Sequence, residues 1–255
     1  MTSRFLWLFI LFVLALPLQA AFGGQKAPLR VAVAANFKPV MTVLAARYEK
    51  ITNKPVTISS ASTGVLYNQI IHGAPFDVFF SADSKRPGLL EEKGLIITGS
   101  RQPYARGLLV LWNTGDQPVL LNKLKGYKGR IAIANPGTAP YGLAAQQTLE
   151  KLDAWQNIKS QVVQGNSIQQ TWQFIASGNV NLGLVARAQL VDPKYKNARI
   201  IHIPQELYNP IRQEMVILKR TKQPRVAKDF IGFLLSEHSQ SYISSQGYQT
   251  GLLPQ

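Results

Sequence analysis

Alternation between two hydrophobic periods constrains the fold of this chain more than any other feature. Short β-branched runs alternate with segments whose apolar residues recur at helical spacing. The predicted strands are LRVAVAA, PVTISSA, DVFFSAD, RGLLVLW, GRIAIAN, VNLGLVA, ARIIHIP and EMVILKR, and the main predicted helices cover about 38–52, 65–73, 141–152, 167–178 and 225–237. Strands that alternate with helices in this way predict an α/β fold, with parallel sheets flanked by helices.

The first residues have the composition of a signal peptide. Arg4 supplies a positive charge, Phe5–Leu16 is apolar, and small residues follow, which predicts a signal peptide over 1–20 with cleavage near Ala20 or Ala21. The apolar run is shorter than the roughly 20 residues that span a bilayer, so a membrane anchor is the less favoured interpretation. The chain has no cysteine for disulfides or for a lipid anchor. We expect an exported, periplasmic protein.

The formal net charge is +15, from 28 Lys and Arg against 13 Asp and Glu. Such a charge attracts anions at long range. The basic residues gather in three clusters, 122–130, 194–199 and 219–228, in which few aromatic residues are interleaved. Single-stranded nucleic-acid sites combine basic and aromatic residues, so a solvated surface is the favoured interpretation, and we expect no nucleic-acid partner.

The pattern of polar residues does not favour catalysis. His72, His202 and His238 lie far apart, without the spacing typical of metal ligands. Asp77 and Asp83 flank a predicted strand, where a strand start and a helix cap explain them more simply than paired catalytic carboxylates do. The chain contains no nucleophile elbow, phosphate-binding loop or dinucleotide glycine pattern. We expect a binding protein, not an enzyme, without a cofactor and without direct metal ligands.

Four strand ends lead directly into helix starts rich in small polar residues. These junctions are AANFKP at 34–39, SSASTG at 59–64, NPGTAPYG at 135–142 and QGNSIQQ at 164–170. Helix capping explains each junction taken alone, through Asn36, through Ser62 or Thr63, and through Asn166 or Ser167. Taken together, they lie at strand ends of the kind where α/β sheets bind ligands. Each helix start offers unpaired N–H groups and a partial positive charge, so the junctions predict an anion site without a basic side chain.

A site that contains only N–H and O–H donors suits a fully ionised tetrahedral oxyanion. Such a dianion accepts hydrogen bonds from every direction and donates none. A phosphate that carries a proton would need an acceptor as well, and would leave one group unpaired. Sulfate is also a dianion without a donor, so only the size of the pocket could exclude it.

Several motifs, in their order and spacing, resemble periplasmic molybdate-binding proteins, the receptors of molybdate ABC transporters. The motifs are SSASTG, GAPFDVFFSAD, IANPGTAPYG and GNSIQQTWQFIASGNVNLGLVARAQL, and the resemblance covers nearly all of the mature chain. It implies a two-lobed periplasmic binding protein fold with a mainly parallel sheet flanked by helices in each lobe and the ligand in the interlobe cleft. By the same resemblance, 29–105 plus 213–255 would form the first lobe and 106–212 the second.

The resemblance also implies the ligand, the partner and the site. The ligand would be molybdate, and also tungstate, with its molybdenum held only through oxygen atoms, and a monomeric receptor would deliver it to an inner-membrane ABC permease. The implied site residues are Asn36, Ser62, Thr63, Tyr141 and Ile168, with Ile168 acting through its backbone N–H and Asn36 adding an amide N–H. Many members have a tyrosine where this chain has Ala186, and we assign Tyr141 as its replacement. The alternatives are a receptor for another oxyanion such as sulfate, or an exported enzyme on the same scaffold.

Overall fold

The structure is a computed structural model that describes residues 27–250. The predicted signal peptide, 1–20, and its cleavage site therefore lie outside the described residues. Over 27–250, no helix is long and apolar enough to cross a membrane.

The described chain alternates strictly between strands and helices from β1 to α3 and less regularly after that. The strands are β1 (Leu29–Ala34), β2 (Val56–Ala61), β3 (Val78–Ser81), β4 (Gln102–Gly107), β5 (Leu109–Asn113), β6 (Ile131–Ala134), β7 (Val162–Gly165), β8 (Leu182–Ala186), β9 (Arg199–His202) and β10 (Ile211–Ile217). The helices are α1 (Lys38–Thr52), α2 (Thr63–Ile71), α3 (Lys85–Glu92), α4 (Pro140–Lys151), α5 (Trp155–Ile158), α6 (Ile168–Ala176), α7 (Pro224–Leu235) and α8 (Glu237–Ser245). Short 3-10 segments lie at Leu121–Gly126, Lys159–Gln161, Arg187–Leu190, Pro193–Tyr195 and Gln205–Leu207.

Local sequence signals explain where several helices begin and end. Pro39, Pro140 and Pro224 lie in the first turns of α1, α4 and α7, where a missing N–H costs nothing. Helix α1 ends at Thr52, and its C-cap residue Asn53 has a φ of 52°, the left-handed conformation that commonly terminates helices.

The strands form two five-stranded sheets, which confirms the predicted two-lobed α/β architecture. The first sheet has the order β2-β1-β3-β10-β4 and the second has the order β7-β6-β8-β5-β9. Apolar side chains pack against the sheets from the flanking helices, as Phe230 of α7 does in the first lobe and Leu149 of α4 does in the second. Burial of these apolar faces is the main stabilising contribution to each lobe.

Both sheets are more mixed than the expected mainly parallel arrangement. In the first sheet β1 pairs in parallel with β2 and β3, whereas β10 is antiparallel to β3 and β4. In the second sheet β6 is parallel to β7 and β8, whereas β5 is antiparallel to β8 and β9. The antiparallel pairings in both sheets thus involve β10 and β5, the strands with which the chain enters a sheet from the other lobe.

The chain passes between the two sheets at two places. The run predicted as one strand, RGLLVLW, is divided: β4 ends in the first sheet at Gly107, and β5 begins in the second sheet at Leu109. The chain returns to the first sheet in β10, which starts at Ile211. The first sheet thus includes residues 106–107 and 211–212, which the predicted bounds place in the second lobe. The predicted lobe bounds, 29–105 plus 213–255 and 106–212, stay a prediction.

The topology brings the four polar junctions towards one another. Parallel strands β1 and β2 lead into α1 and α2, and parallel strands β6 and β7 lead into α4 and α6. The carboxyl ends of parallel strands lie at one edge of a sheet, where α/β proteins bind their ligands. The ligand edge of one lobe faces that of the other.

Candidate functional site

A small cavity of about 10 Å³ lies where the four junctions meet, between the two lobes. All five residues predicted for the site line it. The complete lining is Ala34, Ala35, Asn36, Ser62, Thr63, Ala82, Ala139, Pro140, Tyr141 and Ile168. Both lobes contribute, and no lining residue carries a charge. The structure therefore brings the predicted residues together in one small, uncharged site.

The size of the cavity limits what it can hold. Its volume is close to the least space that a single water molecule needs. Organic ligands usually occupy pockets of about 300–1,000 Å³. A tetrahedral oxyanion is larger than a water molecule, so the lobes would have to move slightly apart to hold one, whereas an organic ligand would need a far larger opening.

Backbone donors face no competing acceptor at this site. The N–H groups of Thr63, Tyr141 and Ile168 lie in the first turns of α2, α4 and α6, where a helix offers no internal acceptor. Among the described residues, nothing accepts a hydrogen bond from these three groups or from the N–H of Asn36. Three helix N-termini thus direct unpaired donors and partial positive charge to one place.

The hydroxyls of Ser62 and Thr63 have different surroundings. Ser62 is the N-cap residue of α2, yet its hydroxyl caps no N–H, and its buried oxygen has no described hydrogen-bond partner. By contrast, Ser167 does cap α6, accepting a hydrogen bond from the Gln170 N–H at 3.3 Å. The Thr63 hydroxyl accepts from the Ala82 N–H at 3.0 Å, which fixes its oxygen and leaves its hydrogen to donate. Capping therefore explains Ser167 and does not explain Ser62.

Tyr141 presents a neutral hydroxyl at the cavity. Its side chain is only 1% exposed, and its hydroxyl oxygen accepts a hydrogen bond from Gln213 Nε2 at 3.3 Å. Burial raises the pKa of this hydroxyl well above its ordinary value, with a smaller contribution from the neighbouring Tyr248. The group therefore keeps its proton at neutral pH, and no described group accepts that proton.

The amide of Asn36 is used differently from the expectation. Its Nδ2 donates to Gln213 Oε1 at 3.0 Å and to Tyr248 Oη at 3.3 Å, so both amide hydrogens bind within the first lobe. Asn36 lines the cavity, but the donor it leaves free there is its backbone N–H. The side-chain amide instead holds Gln213 and Tyr248 in place through its two hydrogen bonds.

The sequence motifs did not identify three polar residues that lie behind the cavity: Tyr104, Gln213 and Tyr248. Gln213 lies in β10 and is fully buried, in contact with Asn36, Tyr104 and Tyr141. Its position carried a usable signal, because alternate residues Ile211, Gln213 and Met215 all point inward. A glutamine on the buried face of a strand needs hydrogen-bond partners, which predicts a polar cluster.

Ala186 ends β8 and does not line the cavity. It is fully buried, and its N–H donates to Gln189 Oε1 at 3.1 Å. The second lobe supplies Tyr141 and Ile168 to the lining, together with Ala139 and Pro140.

Direct contacts hold the lobes together beside the cavity. The Gly64 N–H in α2 donates to the Thr138 carbonyl at 2.8 Å, and Arg86 Nη2 in α3 donates to the Gly137 carbonyl at 2.9 Å. Arg86 also forms an ion pair with Asp83 of its own lobe. A single loop of the second lobe is therefore bound at two points by the first.

The carboxylates considered for catalysis have structural partners. Asp77 accepts hydrogen bonds from the Arg30 N–H and from the Thr221 hydroxyl, and Asp83 binds Arg86 and Ser81. Within residues 27–250, no cluster of three or more His, Cys, Asp or Glu side chains is placed to hold a metal ion.

Comparison with known proteins identifies the family of this chain. A family model described as a bacterial extracellular solute-binding protein matches residues 29–249. The molybdate-binding protein ModA of Azotobacter vinelandii is 42% identical over 234 residues, which cover 89% of this chain and 92% of that protein. The molybdate-binding protein ModA of Rhodobacter capsulatus is 37% identical, covering 93% of each.

A solved structure gives the same result for the fold. The periplasmic molybdate-binding protein of Azotobacter vinelandii superposes with a TM-score of 0.82 at 38% identity. The match covers 89% of this chain and 100% of that one. The similarity thus extends over both lobes.

Proposed function

The chain belongs to the family of bacterial extracellular solute-binding proteins and groups within it with the molybdate-binding proteins, and we propose that it captures molybdate in the cleft between its lobes. Tungstate, a tetrahedral dianion of the same kind, is expected to bind as well. Molybdenum enters as cargo, held only through the oxygen atoms of the oxyanion.

One observation carries this proposal: an uncharged cavity that collects donors from both lobes. Asn36, Ser62 and Thr63 approach from one side, and Tyr141 and Ile168 approach from the other. A dianion placed there would accept from backbone N–H groups and hydroxyls in several directions. Hydrogen bonds to a charged group contribute about 1.5–3 kcal/mol each, so a handful can offset the cost of removing the dianion from water.

The same donors provide selectivity. Phosphate near neutral pH carries a proton, which needs an acceptor in the site, and an unpaired buried group costs about 1–3 kcal/mol. Sulfate has no such proton and resembles molybdate in charge. Its smaller size must therefore exclude it, because hydrogen bonds fixed at the spacing of a larger anion lengthen around a smaller one.

Calorimetric titration of the mature protein with molybdate, tungstate, sulfate and phosphate tests the proposal. We expect tight, near-stoichiometric binding of molybdate and tungstate, with sulfate weaker by at least about a hundredfold. Comparable affinities for molybdate and sulfate would overturn the molybdate assignment in favour of a general oxyanion receptor. Turnover of a titrated ligand would instead favour an exported enzyme on this scaffold.

The cellular role follows from the family and the sequence. We propose that the protein is exported by its signal peptide, acts in the periplasm as a monomer, and delivers the oxyanion to an inner-membrane ABC permease. It would require no cofactor and catalyse no reaction, and nucleic acid would not be a partner. Matching relatives are named as binding proteins, and one solved relative is named as periplasmic, which supports this role.

A further inference from the structure

Behind the cavity lies a buried chain of hydrogen bonds that crosses from one lobe to the other. Tyr248 Oη donates to the Asn36 carbonyl at 2.8 Å and accepts from Asn36 Nδ2 at 3.3 Å. Asn36 Nδ2 also donates to Gln213 Oε1 at 3.0 Å, and Gln213 Nε2 donates to Tyr141 Oη at 3.3 Å. Asn36 in the turn after β1, Gln213 in β10 and Tyr248 after α8 belong to the first lobe. Tyr141 belongs to the second.

The direction of this chain follows from Tyr248, and the Tyr104 hydroxyl, which lies 2.9 Å from Gln213 Oε1 and 3.1 Å from the Ser81 carbonyl, is a second donor to the same Gln213 oxygen. A carbonyl can only accept, so Tyr248 spends its single hydrogen on the carbonyl of Asn36 and must accept from the side chain. The side-chain atom that faces it is therefore the amide nitrogen of Asn36. The second hydrogen of that nitrogen needs an acceptor, which places the oxygen of Gln213 towards Asn36 and its nitrogen towards Tyr141.

The Tyr141 hydroxyl consequently accepts from Gln213, and its own hydrogen is left for the cavity. We propose that Gln213 is a positioning residue for oxyanion binding, because its amide fixes Tyr141 as a donor towards the ligand. This inference rests on the proposed function. The bond between Gln213 and Tyr141 also joins the two lobes directly behind the ligand.

Reversing this one bond tests the inference. Gln213→Glu keeps the shape of the side chain and exchanges the donor for an acceptor once the carboxyl ionises. Tyr141 would then donate to the carboxylate and lose its bond to molybdate. The protonated carboxyl can still donate to Tyr141, so we expect affinity close to wild type near pH 5.5 and about a hundredfold loss near pH 8.5, where a buried glutamate becomes charged.

The groups around position 213 allow the pH dependence to be assigned to the introduced carboxyl. The nearest titratable groups are the hydroxyls of Tyr104, Tyr141 and Tyr248, whose pKa values burial raises, so they remain neutral over this range. Asp83 is the acid that acts on Tyr104, and it is ion-paired with Arg86. The wild-type protein should therefore show little change in molybdate affinity over the same range.

A carboxylate near the cavity also repels a dianion directly, and a double-mutant cycle with Tyr141→Phe separates the two effects. Repulsion persists when the hydroxyl is absent, whereas the reversed hydrogen bond does not. We expect the loss near pH 8.5 caused by Gln213→Glu to be about tenfold smaller in the Tyr141→Phe background. Equal losses in the two backgrounds would overturn the inference and leave repulsion alone.

A second cycle needs no ligand. Gln213→Met and Tyr141→Phe, alone and combined, are compared by chemical unfolding of the ligand-free protein, where a shared hydrogen bond makes their effects less than additive. Fully additive effects would show that the bond does not exist, whichever oxyanion the protein binds. If the cycle shows this coupling but the wild-type protein does not bind molybdate, only the proposed function is overturned.

Discussion

At the scale of single residues, the adjacent hydroxyls of Ser62 and Thr63 differ in whether they have a partner in the ligand-free protein. The Thr63 oxygen accepts the Ala82 N–H at 3.0 Å and so contributes to the fold of the first lobe. The Ser62 oxygen is buried without a described partner, which costs free energy in the ligand-free protein. A hydroxyl that is unpaired until a ligand arrives gains its hydrogen bond only on binding.

This difference predicts opposite effects of Ser62→Ala on stability and on binding. Removing an unpaired buried hydroxyl should leave the free energy of unfolding unchanged or raise it slightly. Removing a donor to a dianion should weaken molybdate binding by about 1.5–3 kcal/mol. Urea unfolding of the ligand-free protein and calorimetry measure the two quantities.

Thr63→Ala is the matched comparison. It leaves the Ala82 N–H unpaired as well as removing a donor, so both the free energy of unfolding and the affinity should fall, each by about 1–3 kcal/mol. A destabilised Ser62→Ala protein would mean that its hydroxyl already has a partner in the ligand-free state.

The sequence predicted which residues line the cavity but not what each donates. Small polar residues at the strand ends, together with the family motifs, gave Asn36, Ser62, Thr63, Tyr141 and Ile168, and all five line one cavity. The direction of the Asn36 amide depends on Gln213 and Tyr248, which lie 177 and 212 residues away along the chain. Local patterns carry no information about such partners.

At the scale of elements, the end of β4 is fitted closely to the first turn of α4. A Cβ atom on Gly107 would lie 2.1 Å from Tyr141 Oη and 2.9 Å from Gln213 Nε2, well inside contact distance. The glycine therefore allows the strand of one lobe to approach the tyrosine of the other. It lies immediately before the chain crosses between the sheets.

Gly107→Ala should displace Tyr141 from the cavity. Overpacking of a buried site typically costs about 1–3 kcal/mol of stability, and the displaced hydroxyl should lower molybdate affinity by about tenfold or more. Gly126→Ala is the control, because a Cβ there meets no atom within 4 Å. Calorimetry and thermal unfolding of both variants measure the effects, and unchanged affinity in Gly107→Ala would show that the site tolerates a displaced Tyr141.

The same place shows why element prediction failed locally. RGLLVLW is uniformly apolar after Arg106, so its periodicity gives no sign that the chain leaves one sheet at Gly107 and enters the other at Leu109. The antiparallel direction of β10 is equally hidden, because hydrophobic alternation is the same for either direction of pairing. Helix positions such as that of α1 were predicted more accurately, because a helical pattern extends over more residues than the pattern of a short strand.

At the scale of the whole molecule, the proposed site assigns the attraction of the anion and its retention to different groups. The formal net charge of +15 attracts an oxyanion at long range. The cavity contains no basic residue, so at the proposed site retention would depend on donors supplied by both lobes and on the contacts that keep the lobes together. Arg86 takes part in both effects, since it carries a charge and donates to the Gly137 carbonyl of the second lobe at 2.9 Å.

Arg86→Met should therefore speed the release of molybdate. Loss of one interlobe hydrogen bond, worth about 0.5–1.5 kcal/mol, corresponds to release about two to twelve times faster. Lys85→Met is the matched control, because it removes the same charge from the adjacent residue of α3, whose side chain makes no hydrogen bond or ion pair with any described residue. Stopped-flow measurements should show equally reduced association in both variants, since each lowers the attraction of the anion, and faster release in Arg86→Met alone.

Arg86→Met also leaves Asp83 without its cation, and a free carboxylate beside the cleft would itself repel the ligand. The combined Asp83→Asn and Arg86→Met variant removes both charges, so faster release that persists there belongs to the lost bond with Gly137. Release at the wild-type rate in the combined variant would show that the loop contact contributes nothing to closure. In that case the lobes would be held by the donors of the cavity and by the bond between Gln213 and Tyr141.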